Sequence, residues 1–260
     1  ATLGGPVRKG RVFFFAGYEA LLENLGRTIV TTVPDDNARA GILPGGVTIP
    51  VNPAVAPYLN EFPHANGENI GGGLARYTFS FDQRLTQHFG QLRIDAVLAD
   101  GIQLFGRYTV DDAEQRLPTD YPQFPRSFVS RNQFATVEYR QALSSTLLHT
   151  IRFGYSRTRI GQAVEANTTE AVGAFVPGRS LMGAIDIGGL PRFGPQISVD
   201  VRLNQDVFSL NYDATKATGR HLLKAGALAE HYVSEEFNPT FSLGIFRFAN
   251  LSAFLRNTPA

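Results

Sequence analysis

The chain contains no cysteine, and this absence excludes several kinds of site at once. Without thiols it can form no disulfide framework, no thiolate zinc site and no cysteine nucleophile. The net charge is only +1, because 24 basic residues stand against 23 acidic ones, so a strongly basic nucleic-acid-binding surface is not expected. Long apolar runs are missing too. No stretch approaches the roughly 20 apolar residues of a membrane helix, which excludes a helical membrane protein and leaves a membrane β-barrel open.

Motifs for catalysis and metal binding are also missing. The five histidines form no pair at metal-ligand spacing, so a zinc site has little local support. Gly71–Gly73 is followed by no Lys-Ser/Thr pair, as a phosphate loop would require. Ser144 and Ser145 lack the Gly-x-Ser-x-Gly sequence of a hydrolase elbow. We therefore expect no enzyme activity, no bound metal and no cofactor.

The residues that are abundant favour β-strands. Phenylalanine (20) and tyrosine (9) are common while tryptophan is absent, and aromatic and β-branched residues fit a pleated sheet. The clearest pattern is a hairpin around Ala99-Asp100-Gly101, with apolar and polar residues alternating on both sides of the Asp-Gly pair. The apolar positions of this hairpin are Leu92, Ile94, Ala96 and Leu98 before the turn and Ile102, Leu104, Tyr108 and Val110 after it, with Phe105 as an exception.

The same alternation recurs along the chain, and the connections between strands are alternately short and long. Short ones lie at residues 99–101, 142–146 and 217–220, and long ones at about 21–87, 111–128 and 160–204. This order is typical of an up-and-down membrane barrel. Residues 11–20 and 241–256 are further strand candidates. A half-exposed sheet of a soluble protein alternates identically, so periodicity alone leaves both architectures open.

An ordered series of short motifs resembles TonB-dependent outer-membrane receptors of the Oar-like group, which carry a carboxypeptidase-regulatory-like domain. The series begins with Gly4-Gly5-Pro6-Val7-Arg8-Lys9-Gly10-Arg11, which resembles the junction between plug and first barrel strand. It then runs through the whole chain with Tyr18-Glu19, Thr32-Val33-Pro34, Ala40-Gly41, Arg93-Ile94-Asp95, Leu104-Phe105-Gly106-Arg107-Tyr108, Arg152-Phe153-Gly154-Tyr155, Gly219 to Gly226 and Phe254-Leu255.

The resemblance implies a roughly 22-stranded plugged barrel in the outer membrane of a Gram-negative bacterium. It also implies uptake of a bulky ligand that is powered through the TonB energy-coupling complex. The chain contains only about eight strand patterns, so we expect a partial, all-β, antiparallel transmembrane β-barrel with long outer loops and short periplasmic turns. Residues 1–9 would end the plug-to-barrel linker, and residues 10–260 would form the N-terminal portion of the barrel. The plug and the TonB-contacting segment would precede Ala1.

Candidate ligand contacts lie in the expected outer loops, because aromatic and arginine side chains are the usual anchors of binding sites. The sequence does not identify the transported ligand. Besides this ligand and the TonB complex, outer-membrane lipid is an expected partner. A complete eight-stranded barrel, acting as an adhesin or pore, and a soluble β-sandwich that binds a ligand are the two alternatives. The predicted ligand-binding residues are Arg116, Tyr121, Phe124, Arg126, Phe175 and Arg179.

Overall fold

A computed structural model describes all residues of the chain, Ala1–Ala260, and most of them lie in antiparallel β-strands. The strands are β1 (Thr2–Arg8), β2 (Val12–Pro34), β3 (Ile42–Leu43), β4 (Val47–Thr48), β5 (Asn69–Gly71), β6 (Leu74–Ala99), β7 (Ile102–Leu117), β8 (Arg126–Ser144), β9 (Leu147–Val164), β10 (Ala184–Ile187), β11 (Val201–Thr218), β12 (His221–Phe237) and β13 (Ile245–Phe248). The helices are α1 (Asp36–Arg39), α2 (Ala56–Glu61) and α3 (Leu251–Leu255). None of these helices has the length and apolar character that a membrane crossing requires.

The long strands form one sheet in the order β1-β2-β6-β7-β8-β9-β11-β12, and every neighbouring pair is antiparallel. Strands β1 and β12 each have one unpaired edge, so the sheet is open. The predicted all-β, antiparallel, up-and-down fold is confirmed, with eight strands along the sheet. Residues 1–9, predicted as a linker, contain β1, which is an edge strand.

Short turns join the strands at one end of the sheet, which we call the turn end. The predicted hairpin is one of them: Ala99 pairs with Ile102, and Gly101 has a φ of +75° that favours glycine. The other end, which we call the loop end, carries four longer segments, residues 35–73, 118–125, 165–200 and 238–260. The predicted alternation of short and long connections is therefore confirmed.

The strands reach further towards the loop end than the sequence pattern predicts. Strands β2 and β6 pair without a break from Val12 with Ala96 to Pro34 with Leu74, so the predicted connection at about 21–87 shrinks to 35–73. The predictions for 111–128 and 160–204 shrink in the same way, to 118–125 and 165–200. Beyond the uncharged part of each strand, both faces carry polar residues. The alternation of apolar and polar residues therefore ends there, although the strands remain paired.

The predicted strand at 241–256 is wrong for most of its length. Only Ile245–Phe248 is extended, as β13, and it pairs in parallel with β10. The chain then turns into α3, because the Asn250 side chain accepts a hydrogen bond from the Ala253 amide at 2.9 Å and so caps the helix. Phe248 before this turn and Phe254 within α3 are buried, and their rings meet edge to face with 5.2 Å between centroids.

Register divides the sheet into an apolar and a polar face, because directly paired residues point to the same side. One row of paired residues crosses the apolar face: Phe14, Ile94, Gly106, Val137, Phe153, Leu210 and Ala229. The adjacent row crosses the polar face: Phe13, Asp95, Phe105, Glu138, Arg152, Asn211 and Leu228. Phe105, the exception in the hairpin pattern, thus belongs to the polar face, where the Arg93 guanidinium lies 4.6 Å from its ring centroid.

The hydrophobic core lies above the sheet, in the four segments of the loop end. We call this body the loop cap. Its members come from β2 and from all four segments: Val33, Ala38, Ile49, Val55, Leu59, Phe62, Tyr121, Phe124, Met182, Ile185, Ile187, Leu190, Phe193, Phe248, Leu251, Phe254 and Leu255. The loop cap is therefore a folded unit with a core of its own, which the sequence analysis did not predict.

Candidate functional site

The apolar face contains an uncharged band that runs across the strands. On β7 it extends from Ile102 to Val110 and ends at Asp112. This stretch of about nine residues has the length that a tilted membrane-crossing strand needs. Large side chains in the band are exposed, including Leu210 and Phe153. An exposed apolar surface of this extent needs a covering of apolar solvent or protein.

Tyrosines with hydrogen-bonded hydroxyl groups border the band at the loop end. The Tyr108 hydroxyl accepts from the Gln133 Nε2 at 2.7 Å, and the Tyr155 hydroxyl donates to the Asp206 carboxylate at 2.8 Å. Asp206 also binds two arginines one step further out. Aromatic rings with polar tips, followed by charges, are typical of the level where hydrocarbon gives way to headgroups. At the turn end the border is formed by Tyr139, His149 and Tyr212, whose rings contact one another edge to face.

This arrangement of an uncharged band between aromatic borders agrees with a comparison of the chain with protein families. Residues 1–259 match the family model described as outer membrane beta barrel domain. The chain belongs to this family. No curated protein and no solved structure matches the chain. The family points to the outer membrane of a Gram-negative bacterium. In barrels of this kind the apolar face meets lipid, the polar face lines the lumen, and the longer loops lie on the outer side.

Inside the barrel domain, a cleft opens between the polar face and the loop cap. We call it the mouth cleft; its volume is about 530 Å³. Its floor is formed by the loop ends of β2, β6, β7 and β8, and its roof by residues 192–196. The residues that line it are Arg27, Ile29, Gln83, Leu117, Pro118, Thr119, Asp120, Arg126, Arg192, Gly194, Pro195 and Gln196.

A second group of charges lies on the polar face nearer the turn end, around a pocket of about 340 Å³. Arg93 binds Asp95 through two hydrogen bonds of 2.7 Å. The Glu138 carboxylate is 8% exposed and pairs with Arg152 at 2.5 Å and with Arg140 at 3.9 Å. Each of the three guanidiniums, Arg93, Arg140 and Arg152, lies within 3.9 Å of one of the two carboxylates, so these pairs hold one another in place.

The loop cap is held by aromatic contacts between its segments. Phe193 stacks on Phe62 with 3.9 Å between ring centroids, and its ring meets Tyr121 and Phe124 edge to face at 5.0 and 5.1 Å. The Tyr121 hydroxyl donates to the Thr32 carbonyl at 2.8 Å, which ties the cap to the end of β2. Burial, and to a smaller extent the nearby Asp120, raise the pKa of Tyr121 well above its ordinary value.

Polar contacts add to this packing. The Arg39 guanidinium donates to the carbonyls of Leu59, at 3.1 Å, and Pro63, at 2.9 Å, and also to that of Phe62. Burial lowers the pKa of Arg39. The Glu61 carboxylate accepts from the Thr169 amide at 2.9 Å and from the hydroxyl of the same residue, so segments 35–73 and 165–200 are joined.

The six predicted ligand-binding residues occupy different environments. Tyr121 and Phe124 are 1% and 0% exposed, because they form part of the core of the cap. Arg116 binds Glu165 through two hydrogen bonds of 2.8 and 3.2 Å. Arg126 lines the mouth cleft.

The remaining two lie in segment 165–200 of the loop cap. Phe175 borders an apolar pocket of about 210 Å³ together with Tyr58 and Phe246. Arg179 is exposed on the surface of the cap. The six residues therefore do not form one site, and their role in ligand binding stays a prediction.

Residues of the mouth cleft that the sequence analysis missed include Arg27, Gln83 and Arg192. Pairing of β2 with β6 brings Arg27 close to Gln83, and the fold of segment 165–200 places Arg192 at the same cleft. An arginine in an alternating strand looks the same whether it faces a lumen or a cleft, so no local signal marks these positions.

Proposed function

We propose that this barrel domain is part of a TonB-dependent receptor of the Oar-like group, which takes up a bulky ligand through a plugged barrel. The observation that supports this most is the open sheet, in which eight strands leave β1 and β12 with unpaired edges. Hydrocarbon offers no water to satisfy such backbone groups, so in the proposed receptor further strands pair with both edges and close the barrel. In the proposed receptor the completed barrel has roughly 22 strands, the class whose lumen is plugged.

The loop end supports the same proposal. Its four segments form a folded cap above a lumen face that keeps an open cleft of about 530 Å³. In the proposed mechanism the cap captures the ligand, which then passes the polar face when the plug is displaced. Arg116, Arg126, Phe175 and Arg179 are the proposed ligand contacts, and Tyr121 and Phe124 act by holding the cap. No bond is made or broken, so we propose no catalytic residue, metal or cofactor.

The proposed partners follow from this mechanism. Outer-membrane lipid covers the apolar face, and the TonB complex acts through a segment upstream of Ala1. Nucleic acid is not proposed as a partner, since the net charge is only +1.

The test is TonB binding by the full-length gene product purified from outer membranes. We expect an immobilised periplasmic domain of TonB to retain it. The matched control lacks the segment before Ala1 and keeps every barrel strand; it should not be retained. In planar bilayers the intact protein should stay closed, and removal of a plug should open a large conductance. A full-length protein that ignores TonB and conducts as a small stable pore would contradict the proposal and favour the eight-stranded alternative.

A further inference from the structure

The mouth cleft has an excess of positive charge. Of its twelve lining residues three are arginines, Arg27, Arg126 and Arg192, and one, Asp120, is acidic. Register places Arg27 and Arg126 on the polar face of β2 and β8. The three guanidiniums therefore border one open cleft although they lie far apart in the sequence.

Two of these arginines have no carboxylate partner. Arg27 donates only to the neutral Gln83 side chain, at 3.3 Å. The Arg126 guanidinium carbon lies 5.4 Å from the Phe128 ring centroid, and its Nε is buried without any hydrogen-bond acceptor. Buried donors are normally satisfied, because an unmade hydrogen bond to a charged group costs free energy. Two guanidiniums of the cleft lining are thus left without a counter-charge.

Three arginines of the polar face nearer the turn end, Arg93, Arg140 and Arg152, are paired with carboxylates. Arg93 and Arg152 bind Asp95 and Glu138 at 2.7 and 2.5 Å. Every guanidinium of that group has a carboxylate within 3.9 Å, whereas Arg27 and Arg126 in the cleft have none.

Size and geometry suit a small anionic group. Binding clefts typically have volumes of about 300–1,000 Å³, and the planar guanidinium forms paired hydrogen bonds with carboxylate and phosphate oxygens. Thr119 and Gln196 add neutral polar groups to the lining, and Arg192, which lies 3.9 Å from Asp186, remains partly free.

We propose that the mouth cleft is an anion-binding site that takes carboxylate or phosphate groups of the incoming ligand. This inference rests on the proposed function for the passage of a ligand, whereas anion binding itself does not depend on transport. The cleft lies between the loop cap and the polar face, so an anion held there has left the outside medium and stands at the entrance of the lumen.

The experiment is calorimetric titration of the full-length protein in detergent with citrate and with pyrophosphate, using glucose as the neutral probe. The variants are Arg27→Gln, Arg126→Gln and the double variant. Arg84→Gln is the matched control, because Arg84 follows Gln83 on the same strand, is exposed and points to the opposite face. Heat-modifiable migration on gels verifies that each variant has folded.

We expect the wild type and Arg84→Gln to bind both anions and not glucose, with affinity that falls as salt rises. Each cleft variant should bind about 10- to 100-fold more weakly, and the double variant should not bind measurably. Arg126→Lys should recover only part of the loss, since lysine keeps the charge and lacks the planar fork.

Two results would overturn the proposal. One is a folded wild type that binds neither anion, as when a carboxylate of a plug already fills the cleft. The other is equal affinity in the cleft variants and in Arg84→Gln. If the protein binds anions but does not bind TonB, the anion-binding site is upheld and the proposed receptor function is rejected. Failure of one proposal can therefore be told from failure of the other.

Discussion

The substitution Phe193→Ala tests whether the loop cap is one folded unit around a shared core. Phe193 is 0% exposed, and its ring contacts Phe62, Tyr121 and Phe124, which belong to two other segments. Truncating a buried phenylalanine to alanine costs about 3–5 kcal/mol. Since each 1.4 kcal/mol is a factor of ten, the population of opened cap should rise about 100- to 5,000-fold.

Proteolysis of intact cells that display the full-length protein measures this population. Cleavage follows the equilibrium amount of the open form when opening and closing are fast relative to cutting. We expect the loop-end segments of Phe193→Ala to be cut at least about tenfold faster than those of the wild type. The strands should still migrate as a heat-modifiable barrel, because their hydrogen-bonded ladders do not involve this side chain.

The matched control is Phe241→Ala, which removes the same ring from an exposed position at the same end of the sheet. Phe241 is 53% exposed, so its loss should change the cleavage rate by less than about twofold. Equal cleavage of the two variants would refute a shared core. Loss of the barrel in Phe193→Ala alone would refute the separation of cap and sheet.

Two further predictions concern the cap and the membrane band. Because burial raises the pKa of Tyr121 above its ordinary value of 10.0, the folded cap keeps the phenol neutral while an opened cap ionises it. Cap stability should therefore be constant below about pH 10 and fall above it. Proteolysis between about pH 8 and 11 should show that Tyr121→Phe loses less cap stability over this range than the wild type. An equal loss in the variant and the wild type would contradict this assignment. Leu210→Arg places a charge in the uncharged band and should cost about 2–4 kcal/mol, seen as less heat-modifiable protein in the outer membrane. Leu228→Arg, on the polar face of the neighbouring strand, should leave that amount near wild type, and equal losses would show that the faces are wrongly assigned.

The membrane part of the fold could be predicted because lipid and lumen impose opposite requirements on alternate residues. Ala99-Asp100-Gly101 set both the turn and the register of β6 and β7, and the structure confirms them. Phe105 broke the pattern since its ring lies under the Arg93 guanidinium on the polar face. Such exceptions depend on a cross-strand partner that the local sequence does not reveal.

The loop cap and the mouth cleft could not be predicted, for a related reason. Tyr121 and Phe124 resemble exposed binding anchors when read along the chain, but Phe193 and Phe62, from other segments, bury them. Asn250 turned an apparent aromatic strand into a helix through a single capping hydrogen bond. Cores assembled from four separate connections leave no periodic signal in any of them.

The shared core of the loop cap has a consequence for how the exterior of this protein can vary. Segments that pack on one another cannot be exchanged one at a time, because a loop taken from another barrel would lack side chains that fit the remaining segments of the cap. The natural unit of exchange is the whole cap, recombined at the strand ends near Pro34, Leu74 and Val201. Short epitopes belong instead where the space beside the chain is free, as at Gly71 and Gly72, where an added Cβ would meet nothing within 4 Å.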